Sequence, residues 1–269
     1  MHKAAKIEDY SEIRKTNYGF SEVPEVSRVI AYLKENNIFQ ENFLNTFLDI
    51  GSNRGKVAQA FYKHFIIYPD KIHLIEPDII SFENIKALIA NNQLQKFNAK
   101  NLAFSNKDEM KVFRSLSHIS FNNRGDYSQL STLHDRDYPR TGEILPDGSV
   151  VKPNLYEVEV MRGETYMKKF NLKNIDFCKI DAEGHAYQIL EGFGELISNI
   201  KCIFLETENF DHWQNQKYAS DVSKLLTEKS FYLELDIVRS YPWFTFRNAD
   251  GSVPAQFNQL WINRNYQRI

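Results

Sequence analysis

The stretch Thr46-Phe47-Leu48-Asp49-Ile50-Gly51-Ser52-Asn53-Arg54-Gly55-Lys56-Val57 decides how the rest of the chain is arranged. A short apolar run ends in an acid and two closely spaced glycines, and a helical pattern follows. This succession predicts a strand, a tight turn and the N-terminus of a helix. Glycine accepts a positive φ at little cost and lets a ligand approach the backbone. The sequence therefore predicts a ligand-binding turn.

The spacing within this turn separates two classes of ligand. Dinucleotides with a pyrophosphate are bound by Gly-x-Gly-x-x-Gly, which does not occur here. An acid at the end of the strand repels phosphate but accepts hydrogen bonds from a cationic amino-acid group, so the turn favours S-adenosylmethionine. A βα turn without any ligand is the alternative. The cofactor-binding residues predicted from the turn are Asp49, Gly51, Ser52, Asn53 and Gly55.

Composition predicts one globular α/β body and excludes several classes of protein. Hydrophobic residues make up 42% of the 269 residues and charged residues 25%, which is enough to form a core. A net charge of −2 argues against nucleic acid as a partner. The two cysteines lie in apolar runs and form no metal or disulfide pattern. No run is long enough to span a bilayer, and we expect a cytoplasmic protein.

Strand-like and helix-like segments alternate along most of the chain. This alternation predicts a doubly wound, mostly parallel sheet with right-handed crossovers. The last two strands lack a helix between them, so we expect an antiparallel pair at one edge, an ending that distinguishes methyltransferase sheets from dinucleotide-binding ones. The predicted strands are Phe47–Ile50, Lys71–Glu76, Ala99–Ser105, Ile175–Asp181, Ile200–Glu206, Phe231–Leu235 and Gln259–Ile262.

Two segments fall outside this alternation. Residues 1–40 are predicted to form an N-terminal helical extension, and residues 41–269 the main domain. Within that domain, residues 110–160 hold two strands around a long polar stretch rich in turn residues. A loop of this length in a compact domain is usually functional, so we expect a β-rich insertion that caps the site. A solvent-exposed hairpin without substrate contact is the alternative.

Two further positions are expected at the cofactor. Glu76 ends the second strand, where an acid accepts hydrogen bonds from both ribose hydroxyls in related folds, and Pro77 stops the strand. The end of the third strand is expected beside the adenine ring, with Ala103 and Ser105 among its residues.

Three motifs in order resemble the FkbM family of methyltransferases. They are the run from Phe47 to Gly55, then Ile75-Glu76-Pro77, and then Ile175-Asp176-Phe177-Cys178-Lys179-Ile180-Asp181-Ala182-Glu183-Gly184. The resemblance implies a class I, Rossmann-like fold that uses S-adenosylmethionine, with O-methylation of sugars, glycan precursors or secondary metabolites. It also implies that Asp49, Gly51, Asn53, Gly55 and Glu76 bind the cofactor, and that Asp181, Glu183 and Gly184 form the fourth-strand motif. Fold membership does not fix the substrate.

Methyl transfer to a hydroxyl requires alignment of the reactants and removal of a proton. A histidine or carboxylate near a strand end is suited to accept that proton. Clustered acids could also hold a divalent metal such as Mg²⁺, which would lower the pKa of the hydroxyl. The catalytic candidates are Asp181, Glu183, His185, Glu208 and His134, with His212 as a further one, and the metal candidates are Asp181, Glu206 and Glu208.

Two other functions are kept as alternatives. The first is a nicotinamide-dependent oxidoreductase, which would need a third glycine in the turn. The second is a catalytically silent protein of the same fold that binds a nucleotide or a partner. The expected partner is a small-molecule or glycan substrate, and homo-oligomerisation is left open.

Overall fold

The computed structural model describes residues 5–9, 11, 23–91, 93–94, 96–116, 120–121, 125–126, 131–134, 153–210, 214–240, 248 and 251–266. No helix in these parts of the chain is long and apolar enough to cross a membrane.

An eight-stranded sheet forms the centre of the molecule. Its strands follow the order β1-β12-β13-β11-β10-β2-β3-β4, and every neighbouring pair is parallel except those made by β13. The predicted doubly wound, mostly parallel sheet is therefore confirmed. The strands are β1 (Lys6–Asp9), β2 (Phe47–Ile50), β3 (Ile72–Ile75), β4 (Asn98–Lys100), β10 (Ile175–Ile180), β11 (Ile200–Glu208), β12 (Phe231–Ser240) and β13 (Ala255–Asn263).

The region after β4 builds smaller sheets. A three-stranded sheet has the order β5-β9-β6, with β5 (Ala103–Ser105), β6 (Glu109–Ser115) and β9 (Asn154–Arg162), and two short strands pair as β7 (Ser120–Phe121) and β8 (Gly125–Asp126). The single strand predicted over Ala99–Ser105 is wrong, because it divides between two sheets. The side-chain amide of Asn101 donates to the carbonyl oxygens of Glu76 at 2.9 Å and Pro77 at 3.0 Å, and this turns the chain.

Six α-helices accompany the strands in the described residues. They are α1 (Pro24–Glu35), α2 (Lys56–His64), α3 (Ile79–Ala90), α4 (Gly163–Lys169), α5 (Ala186–Gly192) and α6 (Ala219–Glu228). The short α4 was not predicted from the sequence. The N-terminal helix and the helix after the glycine turn were predicted, and they correspond to α1 and α2. Asp78 caps α3, because its Oδ1 accepts the backbone N–H groups of Ile80 and Ser81 at 3.0 Å each.

Apolar side chains pack on both faces of the large sheet and form two cores. Phe47, Phe61 and Phe177 stack on one face, with ring centroids 4.4 to 5.7 Å apart. Neighbouring residues in a strand point to opposite faces, so Leu48 belongs to the other core. The two free cysteines are divided in the same way. Cys202 is buried in the core of Phe47, and Cys178 in the core of Leu48.

The predicted antiparallel pair exists, but its expected place at the edge is wrong. β13 lies between β11 and β12, and β1 pairs in parallel with the outer side of β12. The N-terminal region thus contributes a strand as well as the predicted helix. Arg28 on α1 is almost fully buried and donates through Nε to both carboxylate oxygens of Glu8 on β1, at 2.9 and 2.8 Å.

Candidate active site

The turn after β2 brings the backbone of two strands close together. Gly51 has φ +72°, and a Cβ atom there would lie 1.7 Å from the carbonyl oxygen of Asp181. No residue other than glycine fits without movement of the backbone. Asn53 also has a positive φ of 48°. Ser52 fixes the turn, since its hydroxyl donates to the carbonyl oxygen of Asp49 at 2.7 Å.

Glu76 lies directly beside this turn. Its Oε2 accepts the backbone N–H of Asn53 at 2.6 Å, and its Oε1 accepts that of Asp78 at 2.8 Å. The side chain borders the cavity, although the residue is only 5% exposed. Burial raises the pKa of Glu76 to about 8, while the two backbone N–H groups oppose this rise. Each carboxylate oxygen keeps a second lone pair for a ligand hydroxyl.

Lys179, for which the sequence analysis proposed no role, holds the ends of β2 and β10 together. Its Nζ donates to the carbonyl oxygen of Gly51 at 2.6 Å and lies 3.2 Å from Oδ1 of Asp49 and 3.4 Å from Oδ2 of Asp181. Burial alone would lower the pKa of Lys179, but Asp181 and Asp49 raise it above its usual value. A lysine inside an otherwise apolar strand was the signal in the sequence, because a buried charge requires partners.

This arrangement corrects the expectation for Asp49. Its carboxylate is fully buried beneath the turn, faces Lys179 and does not border the cavity. Burial raises the pKa of Asp49, and the charge of Lys179 opposes the rise. Asp49 therefore supports the turn through Lys179 instead of meeting the ammonium group of a ligand.

The loop after β10 carries the acidic residues that face the cavity. The Asp181 side chain is 44% exposed, and Glu183 and Gly184 both have positive φ. Carboxylate oxygens of Asp181, Glu183 and Glu206 lie within 4.8 Å of one another. Helix α5 begins only at Ala186, so Asp181 does not cap it.

Glu208 does not belong to this acidic group. It is buried, accepts a hydrogen bond from the side-chain amide of Gln216, and does not border the cavity. Burial and the charge of Asp181 raise the pKa of Glu208 to about 7, and the bond from Gln216 opposes this rise. Of the predicted metal set of Asp181, Glu206 and Glu208, the first two lie together with Glu183 and not with Glu208, and metal binding stays a prediction. Glu208 does not line the cavity, and its catalytic role also stays a prediction.

His185 and His134 form a buried pair that joins the insertion to the loop after β10. Nδ1 of His185 lies 2.8 Å from Nε2 of His134, and Nε2 of His185 lies 2.8 Å from the hydroxyl oxygen of Ser105. Burial, followed by the neighbouring His134, lowers the pKa of His185 well below its usual value. Both ring nitrogens of His185 have partners, so the pair holds structure and is badly placed to accept a substrate proton.

The same contacts place Ser105 away from the position expected beside an adenine ring. Its hydroxyl faces His185, and the residue does not border the cavity, whereas Ala103 and Phe104 do. Only the first part of β5 is therefore available to an adenine ring.

A cavity of about 630 Å³ connects these residues. One wall comes from the insertion, where Phe113, Thr132 and Leu133 border it and the hydroxyl of Thr132 donates to the carbonyl oxygen of Glu183 at 3.0 Å. The predicted site residues that line the cavity are Gly51, Ser52, Asn53, Glu76, Pro77, Ala103, Asp181, Glu183, His185 and Glu206, whereas Asp49, Gly55, Ser105, His134 and Glu208 do not.

Several cavity residues were not predicted from the sequence. Besides Lys179 and Phe113, they include Glu25 at the start of α1, Arg239 on β12, and Gln256 and Asn258 on β13. Arg239, Gln256 and Asn258 carried no motif, and they reach the cavity because β13 lies between β11 and β12. His212, most of the polar stretch of the insertion and the aromatic run at 241–244 lie outside the described residues.

A glycine turn after the first central strand, an acid after the next and an antiparallel β13 in a parallel sheet define a class I methyltransferase fold. The chain belongs to the FkbM methyltransferase family, because the model of the methyltransferase FkbM domain matches residues 49–233. No curated protein sequence matches the chain.

The solved structures to which the chain is similar share little of its sequence. The chain is similar to methyltransferase FkbM from Methylobacillus flagellatus KT, with 10% identity and a TM-score of 0.46 over 92% of this chain and 57% of that one. It is also similar to magnesium protoporphyrin IX methyltransferase (ChlM) from Synechocystis PCC 6803 with bound SAH, with 9% identity and a TM-score of 0.43 over 88% and 81%. A protein in the NADB-Rossmann superfamily from Streptococcus agalactiae shares 9% identity, with a TM-score of 0.40 over 84% of this chain and 64% of that one. The chain thus spans less than two thirds of the length of the Methylobacillus flagellatus KT protein and of the Streptococcus agalactiae protein.

Proposed function

We propose that this protein is an S-adenosylmethionine-dependent O-methyltransferase that acts on a hydroxyl group of a sugar, a glycan precursor or a secondary metabolite. The observation that carries the proposal is the cavity, which joins the glycine turn and Glu76 to the half-exposed carboxylate of Asp181. S-adenosylmethionine, when bound, supplies an electrophilic methyl group. The cavity of about 630 Å³ is large enough for a ligand of this kind, because ligand pockets commonly measure about 300 to 1,000 Å³.

The residues present fit this cofactor. Glu76 would accept the ribose hydroxyls, and the apolar wall of Ala103, Phe104 and Leu133 would cover the adenine ring. Asp181 faces the cavity next to the turn and offers an acceptor to the amino-acid group or to the reacting hydroxyl. Because Gly51 has no side chain, the cofactor can lie close to the backbone that joins β2 and β10.

The proton of the acceptor hydroxyl would pass to a carboxylate of the loop after β10. Asp181 is the best placed, since it is more exposed than Lys179 or Glu76 and borders the cavity. The ion pair with Lys179 keeps the carboxylate of Asp181 fixed at the end of β10. This route needs no metal. Asp181, Glu183 and Glu206 offer oxygen ligands all the same, and assays with EDTA or added Mg²⁺ would show whether an ion takes part.

Titration calorimetry with S-adenosylhomocysteine and with NADH tests this proposal. We expect S-adenosylhomocysteine to bind and NADH not to bind. Glu76→Ala should weaken the binding of S-adenosylhomocysteine by roughly 1 to 3 kcal/mol, about 5- to 150-fold, because two ribose hydroxyls lose a carboxyl acceptor. Tight binding of NADH would instead support the oxidoreductase. Cofactor binding without transfer to any hydroxyl compound would support a catalytically silent protein.

The proposal also covers the cellular compartment and the role of residues 110–160. Two buried free thiols are compatible with a reducing compartment such as the cytoplasm. Residues 110–160 would act as a cap, which the contacts of Thr132 and Leu133 at the cavity support.

A further inference from the structure

The cavity continues well beyond the part assigned to the cofactor. Lining residues come from β3, β2, β10, β11, β13 and β12 in sheet order, so the cavity crosses five inter-strand steps, roughly 24 Å at about 4.8 Å each. A cofactor between Glu76 and Asp181 occupies only β3, β2 and β10. The ends of β11, β13 and β12 are left for another molecule, which, if the proposed function holds, is the methyl acceptor.

Two polar side chains stand next to each other in this second part. Glu206 on β11 and Asn258 on β13 are directly opposed in the antiparallel ladder, and both border the cavity. Opposed residues of this kind have Cβ atoms about 4.5 to 5.5 Å apart and project on the same side. Their carboxylate and amide groups can therefore reach the same ligand.

Neither side chain has a hydrogen-bond partner among the described residues. Asn258 is only 7% exposed, yet its amide neither donates nor accepts a hydrogen bond within the part of the chain that the structure describes. Buried polar groups in folded proteins are nearly always hydrogen-bonded. The amide of Asn258 opens on the cavity and has no protein partner in the described residues, so it is available to a ligand there.

The surroundings of the pair determine the charge of that ligand. Asp181 and Glu183 lie beside Glu206, and the carboxylate of Glu25 also faces it. Arg239 lies further out on β12 and is exposed. A negatively charged group at this point would be repelled, whereas hydroxyl groups can donate to Glu206 and both donate to and accept from Asn258.

We propose that Glu206 and Asn258 form the acceptor subsite, and that they bind adjacent hydroxyl groups of an uncharged sugar or polyol. Asn258 lies outside the range 49–233 that the family model matches, so the family match assigns it no role. The pair holds the acceptor next to the loop of Asp181.

Saturation-transfer NMR on the full chain with saturating S-adenosylhomocysteine tests this subsite. The probes are four neutral hexoses (glucose, galactose, mannose and rhamnose) and the anionic glucuronate. We expect at least one neutral hexose to bind at least fivefold more tightly than glucuronate. Asn258→Ala should weaken the binding of that hexose at least fivefold. Glu206→Gln should reduce the ratio between the affinities for that hexose and for glucuronate. Gln259→Ala, on the opposite face of the same strand, is the matched control and should leave sugar binding unchanged.

S-adenosylhomocysteine affinity separates the possible failures. It should stay within about twofold of the wild-type value in each variant, and Asn258→Ser replaces Asn258→Ala if the latter does not fold. The subsite is wrong if none of the hexoses binds, if glucuronate binds as tightly as they do, or if the Asn258 variants bind the sugar normally. Failure of the wild-type protein to bind S-adenosylhomocysteine would overturn the proposed function itself.

Discussion

At the scale of single residues, Glu76 combines deep burial with two backbone hydrogen bonds, and this makes its protonation depend on folding. Its pKa is about 8 in the folded protein against an ordinary value of 4.5. The folded state thus holds the proton more tightly, so the contribution of Glu76 to stability is fully present below pH 4.5 and is lost as the pH rises through 8.

We therefore expect the free energy of unfolding of the ligand-free protein to fall between pH 5 and 9 more steeply than that of Glu76→Gln. The difference should amount to a few kcal/mol, since one pKa unit corresponds to about 1.4 kcal/mol. Urea denaturation of both proteins at a series of pH values measures it. Parallel pH profiles would show that Glu76 is ionised in the folded protein.

Asp181 is the residue on which turnover should depend. Asp181→Asn keeps the shape of the side chain but loses the charge, so we expect S-adenosylhomocysteine affinity within a few fold and a transfer rate lower by roughly a hundredfold or more. Single-turnover transfer to a sugar acceptor, with and without Mg²⁺, measures this. Glu208→Gln is the control, since Glu208 does not border the cavity and its substitution should leave the rate within a few fold. Wild-type rates in Asp181→Asn would remove Asp181 from the chemistry.

Sequence reasoning found the residues that carry a motif and missed those that depend on pairing. Glu76 and Asp181 could be predicted because an acid at the end of a parallel strand has a known place in such sheets. Lys179 was quoted within a motif but given no role, since only the fold shows that it faces Asp49, Asp181 and the carbonyl of Gly51. Likewise, no local pattern indicates that His185 meets His134, 51 residues away.

At the scale of elements, the contact between β2 and β10 depends on one missing side chain. Gly51→Ala would place a Cβ atom 1.7 Å from the backbone oxygen of Asp181, so we expect destabilisation of about 3 kcal/mol or more and loss of S-adenosylhomocysteine binding. Gly251→Ala is the matched control, because Gly251 also has a positive φ, +80°, but has no atom within 4 Å of the added Cβ. Gly251→Ala should lower the free energy of unfolding by only about 1 to 2 kcal/mol. Thermal unfolding of both variants measures this, and equal losses would mean that backbone strain alone explains the effect.

Elements with a clear hydrophobic pattern were predicted well. Elements whose position depends on contacts between residues far apart in the sequence were not. The strands β2, β3 and β10 are buried along their whole length and mostly apolar, as parallel strands are, with one or two polar residues in each. The segment Ala99–Ser105 was predicted as one strand but is broken at Asn101, whose side-chain amide donates to the carbonyl oxygens of Glu76 and Pro77. β1 is short, polar and mostly exposed, so nothing in its sequence indicated a strand.

At the scale of the whole molecule, the N-terminal strand β1 pairs with β12 and is also tied to α1 by one buried cation, Arg28. Glu8→Gln would leave Arg28 without its charged partner on β1, so we expect a loss of about 1 to 3 kcal/mol in the free energy of unfolding. Asp70→Asn is the control, because its pair with Lys71 is exposed and should contribute less than about 1 kcal/mol. Urea denaturation measures both. A Glu8→Gln protein as stable as Asp70→Asn would mean that the pair of Glu8 and Arg28 adds nothing to the stability of the domain.

The placement of the two cysteines gives each side of the central sheet its own chemical reporter. Both thiols are fully buried, and burial raises the pKa of each, so a thiol reagent can react only after the surrounding layer has opened. Cys178 reports on the layer of Leu48 and Cys202 on the layer of Phe47. Equal labelling rates would mean that the two layers unfold as one unit, and unequal rates would show which face of the sheet gives way first.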